Sequence, residues 1–154
     1  MDADESNDIG GPLGLRLKGP LRLAMAQCKC WHCGRQTAVA AISAAAVEDL
    51  DDDSEFAGVD AATYIFNIGE GDMPTALAQA LAPIAPRYTP VYSRTLDETT
   101  WANVCEHCGM LQGAFFMHSE PDGPFFGSPG EFNGRWIDLV ADDVVVSDAS
   151  FTDS

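Results

Sequence analysis

Two short segments of this chain repeat the pattern Cys-x-His-Cys-Gly, and they constrain its fold more than any other feature. We name them knuckle 1 (residues 30–34) and knuckle 2 (residues 105–109). Two thiolates three positions apart bind one metal ion when the backbone turns tightly, and the glycine that follows permits the positive φ of such a turn. Two knuckles provide four thiolates, which fill a tetrahedral zinc shell. We therefore predict one Zn²⁺ ion bound by Cys30, Cys33, Cys105 and Cys108.

The separation between the knuckles departs from that of a compact zinc ribbon. Residues 34–104 lie between the two cysteine pairs, whereas roughly 15 to 20 residues separate them in a compact ribbon. The metal is therefore expected to close a long loop. Its loss should loosen the whole domain and not a single finger.

Three other residues offer alternatives to this ligand set. Cys28 lies two positions before Cys30 and shares its face of a strand, so it is either an idle buried thiol or a replacement ligand for Cys30. His32 and His107 lie between the paired cysteines of their knuckles, where side chains usually point outward. We do not expect either histidine to bind the metal.

Two enzymatic interpretations compete with a structural metal. A shell of four thiolates is closed, whereas a catalytic zinc keeps a water position. His118-Ser119-Glu120 is an H-x-E sequence such as zinc deaminases contain, but it follows both knuckles and neither knuckle has the adjoining proline. Knuckle 2 also contains the C-x-H-C of disulfide oxidoreductases, without their βαβ pattern. We favour a protein that is not an enzyme, with a thiol-redox or zinc-dependent enzyme as the alternative.

The charge of the chain restricts its partners. It has 24 acidic and 8 basic residues and a formal net charge of -16, so it should repel the phosphates of a nucleic acid. Most of the basic residues lie in the region 16–35, which leaves nucleic-acid binding there as a further alternative. We predict a zinc-stabilised binding or adaptor protein whose partner is another protein.

The expected location is the cytoplasm. The acidic start of the sequence is unlike a secretory signal, and no apolar run reaches the roughly 18 residues that span a bilayer. Thiols stay reduced in the cytoplasm, and five cysteines, an odd number, do not form a closed set of disulfides.

The predicted fold class is α+β, a mostly antiparallel β, zinc-ribbon-like domain with one packed helix. Hydrophobic residues make up 46% of the chain, which suffices for one core. The domain is expected over residues 13–147. A disordered acidic tail (1–12) precedes it, and a loose tail (148–154) follows it.

Local patterns predict the elements of this domain. Residues 13–28 favour one strand, or two strands broken at Gly19-Pro20, and residues 37–42 pair back as a hairpin. Residues 44–61 read as an exposed acidic loop. A helix is predicted over residues 73–84, with Asp72 as its N-cap. Later segments favour strands: 64–68, 88–94 with Pro90 at a sheet edge, and a last hairpin over 136–146.

The flanks of the knuckles carry a resemblance. Residues 101–109 read WANVCEHCG, residues 112–118 read QGAFFMH, and knuckle 1 reads CWHCG. These segments resemble a set of uncharacterised bacterial zinc-ribbon-like proteins that pair an early C-W-x-C-G with a later A-N-x-C-x-x-C-G-x-x-Q-G. The resemblance implies the same four cysteine ligands and implies no activity.

Overall fold

The computed structural model describes residues 14–51, 58–94, 97–113, 117–118, 120–121, 123–127, 129–147 and 149–151. Its strands are β1 (Leu15–Lys18), β2 (Leu21–Lys29), β3 (Gln36–Ala44), β4 (Ala46–Asp49), β5 (Thr63–Phe66), β6 (Tyr88–Ser93), β7 (Glu98–Val104), β8 (Leu111–Gln112), β9 (Arg135–Val140), β10 (Val144–Val146) and β11 (Ser150–Phe151). The α-helix α1 is Thr75–Leu81, and short 3-10 helices cover Glu70–Asp72 and Pro129–Glu131. The predicted tail over residues 1–12 lies outside the described residues.

The strands form three antiparallel sheets. The largest has the order β11-β5-β3-β2-β9, and the two smaller ones have the orders β10-β1-β4 and β6-β7-β8. The strand pairs of the described residues run antiparallel. Over the described residues, the predicted mostly antiparallel β fold with a packed helix is therefore confirmed.

The central strand β3 explains how the sheets approach one another. Its sequence QTAVAAISA carries small side chains, and all but its first and third residues are buried. Strands buried on both faces favour such apolar runs. One face contributes Ala40 and Ile42 to the main core, and the other contributes Val39 and Ala41 to a second apolar cluster around Tyr64 and Phe125.

The helix is shorter than predicted, and its N-cap is not Asp72. Pro74 is the N-cap, in an extended conformation and without a side-chain cap bond. Asp72 instead ends the preceding 3-10 helix, and its carboxylate accepts a hydrogen bond from the Ser147 hydroxyl. Leu77 and Leu81 bury the inner face of α1 in the main core.

The segment predicted as an acidic loop over residues 44–61 contains strand β4. Val47 is buried and bridges to Val59, and β4 pairs along its length with β1. The acidic side chain of Glu48 forms an ion pair with Arg16 of β1, with 2.9 Å between Nη1 and Oε1. The acidic sequence did not indicate a strand, because the basic partners of Glu48 lie on β1, far away in the sequence. Residues 52–57 of this segment lie outside the described residues.

The C-terminal part also differs from its prediction. β9 pairs with β2 in the five-stranded sheet, whereas β10 pairs with β1, so residues 136–146 do not form a hairpin. The chain breaks at Gly19-Pro20, and β1 and β2 lie in different sheets. Their partners β10 and β9 therefore lie in different sheets as well. The predicted loose tail is wrong at β11, which pairs with β5 because Phe151 packs against the main core.

Candidate metal centre

The four predicted ligands come together although they belong to two sheets. Knuckle 1 connects β2 to β3 in the five-stranded sheet, and knuckle 2 connects β7 to β8 in the sheet β6-β7-β8. The sulfurs of Cys30, Cys33, Cys105 and Cys108 all lie within 4.8 Å of one another. This group can hold a metal ion.

Two sulfur contacts join the knuckles, and both are well beyond bonding distance. Cys30 Sγ lies 3.6 Å from Cys108 Sγ, and Cys33 Sγ lies 3.7 Å from Cys105 Sγ. A disulfide needs a separation of about 2.05 Å. Each of these contacts joins one knuckle to the other, and the four unbonded sulfurs form a single cluster.

The backbone of the two knuckles follows the same hydrogen-bond pattern. The amide of Gly34 donates to the carbonyl of Cys30 at 3.0 Å, and the amide of Gly109 donates to the carbonyl of Cys105 at 3.0 Å. Both glycines have a φ of 77°, in the left-handed region that glycine adopts without steric penalty. The glycine at the end of each motif therefore closes the turn.

The same turns aim amides at the first sulfur of each knuckle. The amides of His32 and Cys33 donate to Cys30 Sγ at 3.3 and 3.5 Å. The amide of His107 donates to Cys105 Sγ at 3.3 Å. These bonds stabilise a thiolate, which is the form of cysteine that binds metal.

The thiol pKa values reflect these contacts. Burial opposes the charged form of Cys30, but hydrogen bonds from the Cys33 and His32 amides and from the Gln112 side chain outweigh it and lower the pKa to about 6. The Met110 amide favours the thiolate of Cys108, but burial and the neighbouring thiols raise its pKa to about 11. Four thiolates this close repel one another, so their full ionisation requires a cation among them.

Side chains of each knuckle also bond to the strand that leaves the other knuckle. The indole of Trp31 donates to the carbonyl of Leu111 at 2.7 Å, and the ring of His107 lies 3.0 Å from the carbonyl of Gln36. Leu111 and Gln36 each follow their own knuckle at the same distance along the sequence. The two halves are therefore joined by a nearly symmetric pair of contacts.

A second pair of contacts is formed one residue further along each strand. The Gln112 side-chain amide donates to Cys30 Sγ at 3.4 Å. At the equivalent position after knuckle 1, the hydroxyl of Thr37 accepts a hydrogen bond from the amide of Glu106 at 3.0 Å. The Glu106 carboxylate accepts from the amide of Ala38 at 2.9 Å. The two bonds of Glu106 position the knuckles independently of the sulfurs.

Asn103 joins the same two sheets just before knuckle 2. Its side-chain oxygen accepts from the amide of Ala40 at 2.8 Å, and its side-chain nitrogen donates to the carbonyl of Ala40 at 2.9 Å. The cysteine pattern alone did not indicate a role for Asn103 or Gln112. Both belong to the wider motif A-N-x-C-x-x-C-G-x-x-Q-G, which was the available signal, whereas Thr37 had none.

The remaining Cys and His residues lie outside the sulfur group. Cys28 is buried in the second apolar cluster. Burial is the main cause that raises its pKa, and the negative charges of Cys30 and Cys105 raise it further. The ring of His32 packs edge-on against Trp31. His118 is stacked on Phe66 with 4.2 Å between ring centroids, and burial lowers its pKa to about 4. Ser119 of the H-x-E sequence lies outside the described residues.

Several basic side chains of the region 16–35 are engaged with other groups. Arg16 and Lys18 both pair with Glu48. The guanidinium of Arg22 lies 4.2 Å from the ring centre of Trp136. These contacts reduce the positive charge that this region offers to a nucleic acid.

Comparison of the chain with models of protein families, with curated proteins and with solved structures gives no match. The resemblance to zinc-ribbon-like proteins therefore stays a prediction. Within the described residues, no helix has the length and apolar character needed to cross a membrane.

Proposed function

We propose that the four cysteines bind one structural zinc ion, and that the zinc-stabilised protein serves as a binding or adaptor protein for another protein. One observation carries the zinc assignment. A tetrahedral ion with Zn–S bonds of about 2.3 Å has its sulfurs about 3.8 Å apart. The two sulfur separations between the knuckles, 3.6 and 3.7 Å, are close to that edge length.

A structural role for the metal follows from its ligands and its place. Four thiolates leave no position for a reactive water, whereas catalytic zinc sites keep one open. The sulfurs also lie between two sheets, so a bound ion would connect them. The free energy of metal binding would therefore stabilise the fold directly.

A protein partner is favoured by the surface of knuckle 1. Trp31 is 65% exposed, yet its indole is held by the carbonyl of Leu111. Tryptophan side chains dominate the binding energy of many protein interfaces, and a side chain that is already fixed loses little conformational entropy on binding. The formal net charge of -16 supports a protein partner over a nucleic acid.

Thiol-redox chemistry is the second candidate, because two observations favour it. Cys33 is exposed, and the pKa of its neighbour Cys30 is lowered to about 6, again by amide and Gln112 hydrogen bonds that outweigh burial. Thiol–disulfide exchange begins with a low-pKa thiolate and is completed by a second cysteine, and Cys30 and Cys33 offer this pairing. This activity would need metal-free protein.

Metal analysis separates the two candidates. Protein purified under reducing conditions is assayed for zinc and iron by mass spectrometry, since four thiolates also suit iron. We expect one zinc per chain in the wild type and in Cys28→Ser, the matched control. The variant Cys105→Ser/Cys108→Ser should lose both the zinc and cooperative unfolding. A metal-free wild type whose Cys30 and Cys33 oxidise reversibly would contradict the zinc assignment and support redox chemistry.

The partner-binding role is tested by affinity capture with two variants. Trp31→Ala removes the exposed indole of knuckle 1, and Tyr92→Ala removes a ring of similar exposure, 56%, on strand β6. Proteins retained from the natural host are quantified by mass spectrometry. We expect a protein that the wild type and Tyr92→Ala both retain and that Trp31→Ala loses. Identical retention by all three would contradict a partner site at Trp31.

A further inference from the structure

A cavity of about 240 Å³ lies between the two sheets that the knuckles join. Residues of β3 and β5 form one side, including Ala40 and Ile65, and residues of β7 and β8 form the other, including Ala102 and Leu111. The cavity has the volume of roughly eight water molecules at about 30 Å³ each. It is large enough for an organic molecule on the order of ten non-hydrogen atoms.

Three buried polar atoms of residues that line this cavity have no hydrogen-bond partner among the described residues. They are the hydroxyl of Tyr88, the indole nitrogen of Trp101 and Nδ1 of His118, and all three residues line the cavity. Buried polar groups in native proteins are nearly always satisfied, and leaving one unsatisfied is destabilising. Three such groups on residues that line one cavity make this cavity the strongest candidate for a ligand site.

The lining restricts the charge of that molecule. Among the described residues that line the cavity, none is Asp, Glu, Lys or Arg. His118 is neutral near pH 7, since burial lowers its pKa to about 4. An ion placed there would lose its hydration without gaining a counter-charge.

The lining also restricts the shape and the polar groups of the molecule. Phe66, Trp101 and Met117 provide apolar surface, which suits an aromatic or aliphatic body. The indole N–H is a donor only, and the Tyr88 hydroxyl also has a proton to donate. The molecule must therefore present an acceptor oxygen to them.

We propose that this cavity binds a small uncharged organic molecule with an apolar body and a carbonyl or ether oxygen, which accepts hydrogen bonds from Tyr88 and Trp101. The site is distinct from the sulfur group, although Gln112 lines the cavity and also donates to Cys30. The proposal does not depend on the partner-binding role of Trp31.

The indole N–H signals in nuclear magnetic resonance spectra provide the test. The chain has three tryptophans, and Trp31 is already bonded to Leu111. The metal-loaded full chain is titrated with acetophenone, with isopropylbenzene of the same shape without the oxygen, and with the anion benzoate. We expect saturable movement of the Trp101 signal with acetophenone. Binding by isopropylbenzene should be about tenfold weaker, and benzoate should leave the signal unchanged.

Two variants tie the effect to the cavity. Tyr88→Phe keeps the ring and removes the hydroxyl, so it should fold and bind acetophenone about tenfold more weakly. Tyr92→Phe removes an exposed hydroxyl that is bonded to Asp97 outside the cavity, and it should bind as the wild type does. A Trp101 signal that acetophenone does not move would overturn the proposal and leave the cavity to water alone. Equal binding by benzoate would overturn it too, because the site would then accept an anion.

Discussion

The side-chain amide of Gln112 donates a hydrogen bond to the sulfur of Cys30 across the boundary between two sheets, at 3.4 Å. Gln112 also donates to the carbonyl of Met110 at 2.9 Å, which fixes its orientation. The amide is buried, with 3% of the residue exposed. It therefore stabilises negative charge on a sulfur whose own burial opposes that charge.

Replacing Gln112 by leucine should weaken zinc binding without removing a ligand. Loss of a hydrogen bond to a coordinating atom typically lowers metal affinity by about 10- to 100-fold. Zinc affinity is measured by competition with a chromophoric chelator. Gln27→Leu is the matched control, because Gln27 is exposed on β2. Unchanged affinity in Gln112→Leu would show that this bond does not support the metal.

Asn103→Ala should be strongly destabilising. It removes both hydrogen bonds to Ala40 and leaves a buried amide and a buried carbonyl unsatisfied. Each unsatisfied group costs about 1–3 kcal/mol, so the two together should cost about 2–6 kcal/mol. Urea unfolding of the zinc-saturated protein measures it. The control is Asn133→Ala, at an exposed position, which should change the free energy of unfolding by less than about 0.5 kcal/mol. An equal loss in both variants would contradict a stabilising role for the two hydrogen bonds between Asn103 and Ala40.

Gly109→Ala tests whether knuckle 2 needs a left-handed residue. A Cβ there meets nothing within 4 Å, so the φ of +77° is the source of strain. A non-glycine residue in this conformation costs about 1–2 kcal/mol. Gly71→Ala also places its Cβ in open space, without a positive φ, and should show no such loss. Equal stability of the two variants by urea unfolding would refute the conformational argument.

The burial of His118 makes stability depend on pH. Its pKa falls from 6.5 to about 4 on folding, so the unfolded chain binds more protons between those values, and stability is lost as the pH falls through this window. About 2 kcal/mol should be lost by pH 5. His118→Phe should lack this component. Acid would release any bound metal from both proteins, so the difference between their unfolding free energies isolates the contribution of His118. A pH-independent difference would contradict a neutral buried His118.

The local signals of the sequence predicted the parts of the fold that depend on neighbours in the chain. The hairpin of β2 and β3 follows from alternation on both sides of knuckle 1, and Pro90 lies on an edge strand, β6, as expected. The turn inside each knuckle is encoded by its own pattern, and these local features are each decided within about ten residues. The four cysteines also come together as predicted, but that approach joins two sheets and was inferred from the need of one ion for four thiolates.

The features that sequence did not predict depend on distant partners. β4 was missed because the charge of Glu48 is offset by Arg16 of another strand. The separation of β9 from β10 depends on the course of β1 and β2 at the opposite end of the chain. The cavity between the sheets, with the hydroxyl of Tyr88 facing no partner among the described residues, arises only when both sheets are in place.

Zinc-edge X-ray absorption of the purified protein tests the central claim most directly, because it counts the atoms bound to the metal and measures their distances. Four thiolates from two knuckles predict a single shell of four sulfurs at about 2.3 Å. The same spectrum is expected for Cys28→Ser. A shell with fewer than four sulfurs, completed by nitrogen or oxygen at about 2.0 Å, would contradict a closed structural site made of Cys30, Cys33, Cys105 and Cys108.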